Sequence, residues 1–145
     1  MSMETKEIVI IQTKSSDISE CCELLKTEET MTFDGTYPSE KYLHELLTDN
    51  LCFVAKYGDE IVGCLFCEKI KSKGILLNLI VVKKEYRHKG IGCFLLDTLE
   101  KRCKEINLNW IVLYSTTKSI NNTNFYIKNN YINKSGSFNE FGKNL

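Results

Sequence analysis

Two glycines and a basic patch lie together at the point where one apolar run ends and another begins. The stretch NLIVVKKEYRHKGIGCFLL, residues 78–96, predicts a strand that leads into a helix. A helix N-terminus presents unpaired backbone N–H groups and the positive end of the helix dipole, and Gly90 and Gly92 let that backbone approach a ligand closely. Four basic side chains surround the glycines: Lys83, Lys84, Arg87 and Lys89. The junction therefore predicts an anion site, above all for phosphate.

The common phosphate motifs of nucleotide-binding proteins do not fit this stretch. A dinucleotide-binding fingerprint needs a third glycine, and Leu95 stands where that glycine would be. The antiparallel hairpin predicted upstream also argues against a βαβ unit. A P-loop needs Gly-x-x-x-x-Gly-Lys, which is absent. What remains is Arg87-x-x-Gly90-x-Gly92, between a buried strand and a long helix.

The elements upstream of this site follow from hydrophobic periodicity. The run KEIVIIQ predicts a first strand, and Ser15 or Ser16 is expected to cap a helix that extends to about Thr27. A second amphipathic helix is expected from Ser39. The runs LCFVAK and IVGCLFCEKI predict a hairpin, and ILLNLIVV predicts a strand that is buried on both faces.

The elements downstream complete a mixed sheet. The helix after the glycines is expected to reach about Ile106 and to bury one stripe, formed by Ile91, Phe94, Leu95, Thr98, Leu99 and Cys103. WIVLYS predicts a strand, NNTNFYIKNN a short helix and YINKSGSFNEF a terminal strand or hairpin. The order β-α-α-β-β-β-α-β-α-β predicts a mixed sheet with helices on it, in the α/β or α+β class, as a single domain over residues 1–145.

Charge is unevenly distributed in a chain whose net charge is zero. Residues 15–50 carry nine acidic side chains and two basic ones, whereas residues 69–104 carry ten basic side chains and three acidic ones. One interpretation is a pair of solvated helix faces. The other is a bipolar site that holds an anionic ligand near the middle of the chain and a cationic ligand near its first third. A neutral chain with few aromatic residues between its lysines disfavours nucleic-acid binding.

Seven cysteines and the absence of a long apolar run indicate a cytoplasmic protein. Most of the cysteines lie inside apolar patterns, where a free thiol behaves as a small hydrophobic group under reducing conditions. Cys64 and Cys67 are three residues apart in a predicted strand and so point to opposite faces, which argues against a shared metal ion. Residues 75–82 form too short an apolar run to span a bilayer. We therefore expect no metal and no membrane contact.

Two motifs together resemble the GNAT N-acetyltransferase superfamily. The first is the strand and loop LNLIVVKKEYRHKGIG, which is similar to that family's Gln/Arg-x-x-Gly-x-Gly/Ala signature for acetyl-CoA. The second is FYIKNNYI, which matches the family's Phe-Tyr-x-Lys-x-Gly-Phe pattern at Phe125, Tyr126, Lys128 and, with one aromatic residue exchanged for another, Tyr131. The resemblance extends over residues 6–141 and implies the family's fold, in which the fourth and fifth strands splay apart.

The resemblance also implies roles for individual residues. Backbone groups of Ile80, Val81 and Val82 would pair with the pantetheine arm of acetyl-CoA. The pyrophosphate would lie on a run of backbone N–H groups: Arg87, His88, Lys89, Gly90, Ile91, Gly92 and Cys93. Further cofactor contacts map onto Ser119, Asn122 and Lys128, while Asn130 replaces a family glycine and can still adopt the left-handed conformation that ends a helix. Tyr126 is the family's candidate acid, which protonates the CoA thiolate, whereas His88 is given no catalytic role.

The acceptor is less closely defined than the acetyl donor. A family carboxylate position on the fourth strand is Asn78 here, which takes no proton; Glu68, Asp34 and a water chain stay open as alternatives, and no base is named. The acidic first third favours a cationic primary amine, on a small molecule or a protein, with Phe33, Tyr37 and Tyr42 as candidate lining residues. A non-catalytic acyl-CoA-binding domain of the same fold is the alternative. The sequence leaves a monomer and a homodimer equally open.

Overall fold

Seven strands and four α-helices make up the computed structural model, which describes residues 7–27, 38–115, 120–133 and 139–145. The strands are β1 (Ile8–Gln12), β2 (Phe53–Tyr57), β3 (Glu60–Ile70), β4 (Gly74–Val82), β5 (Trp110–Ser115), β6 (Ile132–Asn133) and β7 (Asn139–Asn144). The helices are α1 (Ile18–Lys26), α2 (Glu40–Leu46), α3 (Ile91–Glu105) and α4 (Ile120–Lys128). Short 3₁₀ turns lie at Ser15–Asp17, Leu47–Asp49 and Lys84–Tyr86. The predicted order of elements is confirmed as far as α4, and the terminal segment, predicted as a strand or a hairpin, contains the two strands β6 and β7.

The strands form one mixed sheet in the order β1-β2-β3-β4-β5-β7-β6. Every neighbouring pair is antiparallel except β4 and β5, which run parallel because α3 crosses over between them. The predicted class, a mixed sheet with helices on it, is therefore confirmed. No helix within the described ranges is long and apolar enough to cross a membrane.

Apolar side chains fill both faces of the sheet. One cluster packs against α3 and includes Leu95, Leu99 and Phe141, while the other packs against α1 and α2 and includes Leu25 and Phe66. Cys67 lies in the first cluster and Cys64 in the second, so the prediction that they occupy opposite faces is confirmed. Across the part of the chain that the structure describes, no three His, Cys, Asp or Glu side chains lie together as a metal site.

The two N-terminal helices begin differently. Ser39 caps α2 as predicted, because its side chain accepts a hydrogen bond of 3.1 Å from Tyr42 N. The prediction that Ser15 or Ser16 caps α1 is wrong. The 3₁₀ turn precedes that helix, and the Asp17 carboxylate accepts from Lys14 N at 2.9 Å. Asp17, the residue before α1, is itself buried, and its carboxylate binds the preceding turn instead of an N–H group of the helix.

The buried stripe of α3 is rotated from the predicted one. Phe94 is 46% exposed, whereas Leu96 and Glu100 are buried. The prediction placed Phe94 inside because it is apolar. It missed Glu100, whose carboxylate has buried hydrogen-bonding partners. Tyr131 Oη donates to Glu100 Oε2 at 3.0 Å and Lys143 Nζ to Glu100 Oε1 at 2.9 Å, so the C-terminal segment draws this side of α3 inward.

The expectation that β4 is buried on both faces is wrong for its second half. Ile75 and Leu77 are buried, but Asn78, Leu79 and Ile80 are only half buried. The reason is a change in neighbours, because β5 pairs with the first part of β4 only. This change creates the candidate functional site.

Candidate functional site

A fork between β4 and β5 opens at the centre of the sheet. The parallel pairing extends from Gly74 opposite Trp110 to Leu77 opposite Leu113. Beyond that point β4 continues to Val82 and β5 to Ser115, and no further pair joins them among the described residues. The last five residues of β4 therefore have β3 on one side and an open edge on the other. An open strand edge inside a sheet offers unpaired backbone groups to a ligand.

A β-bulge at Asn78 marks the start of the fork. On β3, Cys67 faces Leu77 and the preceding Phe66 faces Leu79, so Asn78 is the extra residue on β4. A bulge bends its strand and increases the local twist, which turns the end of β4 away from β5. The Asn78 side chain donates from Nδ2 to Glu68 Oε1 on β3 at 3.2 Å.

The pairing with β3 decides which backbone groups face the open edge. Lys83 N donates to Val62 O at 2.7 Å, so the backbone of Lys83 faces β3. Because backbone groups alternate along a strand, Val81 also faces β3, whereas Ile80 and Val82 face the fork. Arg87 Nε donates to Val82 O at 2.8 Å and so binds the end of this edge. Ile80 and Val82 thus present their N–H groups at the fork, and Val81 does not.

The loop that follows β4 bends its backbone sharply before α3 begins. His88 has a φ of 63° and Gly90, the residue that caps α3, a φ of 85°. A Cβ added at Gly90 would meet no atom within 4 Å, so open space lies beside this part of the backbone. A loop with left-handed residues at a helix N-terminus directs successive N–H groups toward one point. His88, Lys89 and Gly90 are exposed, which leaves the loop accessible to a ligand.

A glycine is needed at position 92 for a different reason from that at position 90. A Cβ at Gly92 would lie 3.0 Å from Phe125 Cζ, so the glycine lets α4 pack closely against the first turn of α3. Asn129 Nδ2 adds a contact of 3.5 Å to Cys93 Sγ at the same junction. Sequence reasoning attributed both glycines to ligand approach and missed Asn129. Its position near the end of the predicted helix gave no chemical signal.

The basic residues near the loop are not equivalent. Lys83 forms an ion pair with Glu60, and Tyr86 Oη lies 3.4 Å from the same carboxylate. The hydrogen bond to Glu60 raises the pKa of Lys83. Lys84 and Lys89 are exposed. Of the predicted anion-binding side chains, Lys83 therefore binds Glu60 on β3, and Arg87 binds the backbone at the end of β4.

Tyr126 lies in the core, in contact with other aromatic rings. Its ring centroid is 5.3 Å from that of Phe125, 6.0 Å from that of Tyr131 and 5.5 Å from that of Phe141. Burial raises the pKa of the Tyr126 phenol well above its usual range, so the hydroxyl stays protonated. It is 8% exposed. A buried neutral phenol can donate a hydrogen bond or a proton, and the rings fix its position.

The remaining predicted contacts have mixed outcomes. Lys128 is exposed at the end of α4. Asn130 has a φ of 71°, which confirms the left-handed helix end. Ser119 lies outside the described residues, as do Phe33, Asp34 and Tyr37, and the side chain of Asn122 is also outside them.

Part of the acidic first third serves the fold. Asp17 Oδ1 lies 3.3 Å from Lys56 Nζ, and Glu20 Oε2 accepts from Ile61 N at 2.8 Å. Asp49 Oδ2 accepts from Lys69 N at 3.2 Å. These carboxylates attach α1, its preceding turn and the end of α2 to β2 and β3. The charge excess of residues 15–50 is therefore partly structural.

Comparison with known proteins assigns the family. A family model described as the acetyltransferase (GNAT) family matches residues 18–131. The chain belongs to this family. A search of the curated proteins gave no significant match. The match to the family model spans both motifs and the fork between β4 and β5.

Solved structures share the fold of this GNAT chain at low sequence identity. Ard1 from Thermoplasma volcanium is similar at a TM-score of 0.84 and 18% identity, over 96% of this chain and 98% of that one. PaiA N-acetyltransferase from Thermoplasma acidophilum, solved with coenzyme A, gives 0.81 and 23%, over 95% and 99%. Naa50 from Arabidopsis thaliana, solved with the bisubstrate analogue CoA-Ac-MVNAL, gives 0.80 and 19%, over 96% and 99%.

Proposed function

We propose that this protein transfers the acetyl group of acetyl-CoA to a primary amine of a cationic acceptor. Both substrates would be bound together, and the amine would attack the thioester directly. The observation that carries the proposal is the fork between β4 and β5, whose open edge leads to a left-handed loop at the N-terminus of α3. Membership of the acetyltransferase (GNAT) family supports the acetyl donor.

The donor site would use backbone groups from two segments. Ile80 and Val82 would pair with the amide groups of the pantetheine arm, in the way that a neighbouring strand would. Val82 N–H, at the fork, is the better candidate than Val81 for binding the thioester carbonyl, because Val81 faces β3. The N–H groups of residues 88–93 would bind the pyrophosphate, with Lys89 beside them. The open space at Gly90 fits this arrangement.

Tyr126 would supply the proton that the leaving thiolate needs. Its phenol is kept neutral by burial, and its ring is fixed by Phe125, Tyr131 and Phe141. A fixed neutral donor stabilises charge that develops on a nearby atom without reorganising. Because burial also raises its pKa, Tyr126 would act best as a hydrogen-bond donor as sulfur becomes negative, with full transfer at the end of the step.

A cationic amine is favoured by the chemistry near the fork. Glu45 of α2 and Glu68 of β3 lie near Tyr42, where burial raises the phenol pKa and the two charges raise it further. A negative field of this kind attracts an ammonium group and repels an anionic acceptor. The acceptor could be a small polyamine, a basic amino acid, an aminoglycoside or an amine on a protein.

An assay of thiol release from acetyl-CoA over an amine panel tests the proposal. The panel would contain spermidine, lysine, an aminoglycoside, a peptide with a free N-terminus, and neutral and anionic amines as controls. We expect turnover with at least one cationic amine and slower turnover with the controls. A preference for anionic amines would overturn the choice of acceptor, whereas binding of acetyl-CoA without turnover on any amine would support a non-catalytic acyl-CoA-binding domain instead.

A further inference from the structure

We infer that Glu68 binds the ammonium group of the acceptor and removes its proton, with Asn78 as the residue that positions the carboxylate. The inference rests on the proposed function and adds the base that the sequence left unnamed. Its starting point is the hydrogen bond from Asn78 Nδ2 to Glu68 Oε1, 3.2 Å long, at the bulge where the fork opens. This hydrogen bond places the Glu68 carboxylate beside the residue at which the fork between β4 and β5 begins.

The alternation of β3 fixes the face on which Glu68 lies. Cys64 and Phe66 belong to the cluster under α1 and α2, whereas Leu65 and Cys67 belong to the cluster under α3. Glu68 therefore projects toward α1 and α2. The loop that would hold pyrophosphate leads into α3, the helix that covers the opposite face. The carboxylate and the donor phosphates thus lie on different faces, and the fork is the opening between them.

Among the described residues, Glu68 lacks the lysine partner that several other carboxylates have. Asp17 pairs with Lys56, Glu60 with Lys83 and Glu100 with Lys143. Within the described ranges, no Lys or Arg nitrogen lies within salt-bridge distance of Glu68, whose one hydrogen-bonding partner is the amide of Asn78. Because the partner of this half-buried carboxylate is a neutral amide, an incoming ammonium group would meet no competing Lys or Arg among the described residues.

Polar and aromatic groups around Glu68 are compatible with an amine. Tyr42 and Glu45 lie on α2, and the charge of Glu68 contributes to the raised pKa of the Tyr42 phenol. Asp49 binds the next backbone N–H of β3, at Lys69. Across the fork, Tyr114 lies on the same face, because Leu113 beside it faces the α3 cluster, and it is 64% exposed. An ammonium group between a carboxylate and an exposed aromatic ring has both ionic and cation–π partners.

The chemical step balances with these groups. Glu68 takes one proton from the ammonium group and leaves a neutral amine with a lone pair. That nitrogen forms a C–N bond to the thioester carbon while the C–S bond breaks. The second nitrogen proton passes to solvent as the amide forms. Tyr126 gives its proton to the CoA sulfur and is then reprotonated from solvent. Glu68 returns its proton to solvent, so each turnover releases one proton, an N-acetyl amine and CoA.

The variant Glu68→Gln tests the inference against a matched control, Glu105→Gln, which makes the same chemical change at an exposed position on α3. The acceptor is the panel amine with the highest kcat/KM. Loss of a general base lowers rates by about 100-fold or more, so we expect such a fall for Glu68→Gln. Glu105→Gln should match the wild type, and both variants should keep the wild-type thermal shift with acetyl-CoA.

Two further readouts separate proton removal from a structural role. The deficit of Glu68→Gln should shrink as the pH rises from about 7 to about 9.5, because free amine then becomes available from solution. The double variant Glu68→Gln/Asn78→Asp moves the carboxylate across the same hydrogen bond. We expect it to recover about tenfold or more of the lost kcat/KM at neutral pH, within the range of general-base effects.

The outcomes distinguish this inference from the proposed function. If the wild type neither binds acetyl-CoA nor acetylates any amine of the panel, both fail together. A wild type that turns over alongside an equally active Glu68→Gln overturns the inference alone. A Glu68→Gln deficit that is constant with pH and is not recovered by Asn78→Asp also overturns it, because Glu68 would then support structure only.

Discussion

At the scale of single residues, the site separates conformational roles from packing roles. Gly90 has a positive φ and open space beside it, whereas Gly92 is limited by the Phe125 ring. The two glycines look alike in the motif, but backbone conformation requires the first and close packing requires the second. Tyr126 and Tyr131 form a similar contrast, since within the described part of the chain Tyr131 alone of the two has a buried partner for its hydroxyl, at Glu100. These contrasts supply matched pairs of variants.

Replacing Gly90 with Val should abolish CoA binding while the fold survives. An L-residue at φ 85° is strained by about 1–2 kcal/mol, and its side chain would fill the space beside the loop. Gly58→Val is the control, because Gly58 also has a positive φ with no atom near its Cβ but lies in the β2–β3 turn. Both variants should melt a few degrees lower than the wild type. Only Gly90→Val should lose its thermal shift with CoA; a retained shift would contradict the assignment.

Replacing Tyr126 with Phe should lower kcat by about 10- to 100-fold and leave CoA binding nearly unchanged, because the phenol is needed only as the thiolate leaves. Tyr131→Phe is the control. It removes a buried hydrogen bond to Glu100 and should lower the free energy of unfolding by about 1–2 kcal/mol with little effect on kcat. Equal kcat values for the wild type and Tyr126→Phe would show that another group protonates the thiolate.

At the scale of elements, the site depends on two junctions: the bulge in β4 and the contact between α3 and α4. The sequence predicted the strands, the loop and the helices that meet there, because periodicity and glycine signals are local. It could not predict the bulge at Asn78, the partner of Gly92 or the burial of Glu100. Each depends on residues that become neighbours only after folding, such as Glu68, Phe125 and Tyr131.

The contact between α3 and α4 can be tested by overpacking. In Gly92→Ala the new Cβ would lie 3.0 Å from Phe125, which should lower the free energy of unfolding by about 1–3 kcal/mol. Phe125→Leu should make room and reduce the added cost of the alanine. Urea denaturation of the wild type, both single variants and the double variant forms a double-mutant cycle. Additive effects would mean that Phe125 does not limit residue 92.

At the scale of the whole molecule, both faces of the sheet contain buried thiols. Six of the seven cysteines are buried, and all seven are free. Burial raises the pKa of Cys103 from 9.0 to about 11. Because the folded value is the higher one, the stabilisation is complete below pH 9 and is lost as the pH rises toward 11.

Stability should therefore fall in alkaline solution. We expect the free energy of unfolding to decrease between about pH 8.5 and pH 10.5, with Cys103 contributing at most about 1.4 kcal/mol per pH unit. Urea denaturation across this range measures the slope. The variant Cys103→Ala should be less stable at pH 7 but should show a shallower slope. An unchanged slope would mean that Cys103 does not cause the loss.

At the centre of the fold, the proposed donor site between β4, β5 and the loop before α3 is expected to select CoA over other nucleotides. Thermal denaturation of the wild type with acetyl-CoA, CoA, ATP or NAD tests this claim most directly, because a ligand that binds the native state raises its stability by mass action. At a ligand concentration of about 100 times Kd, the stabilisation is about 2.7 kcal/mol, which raises Tm by about 5 °C or more. We predict this rise with acetyl-CoA and CoA and none with ATP or NAD. A rise with ATP or NAD and none with either form of CoA would contradict the account.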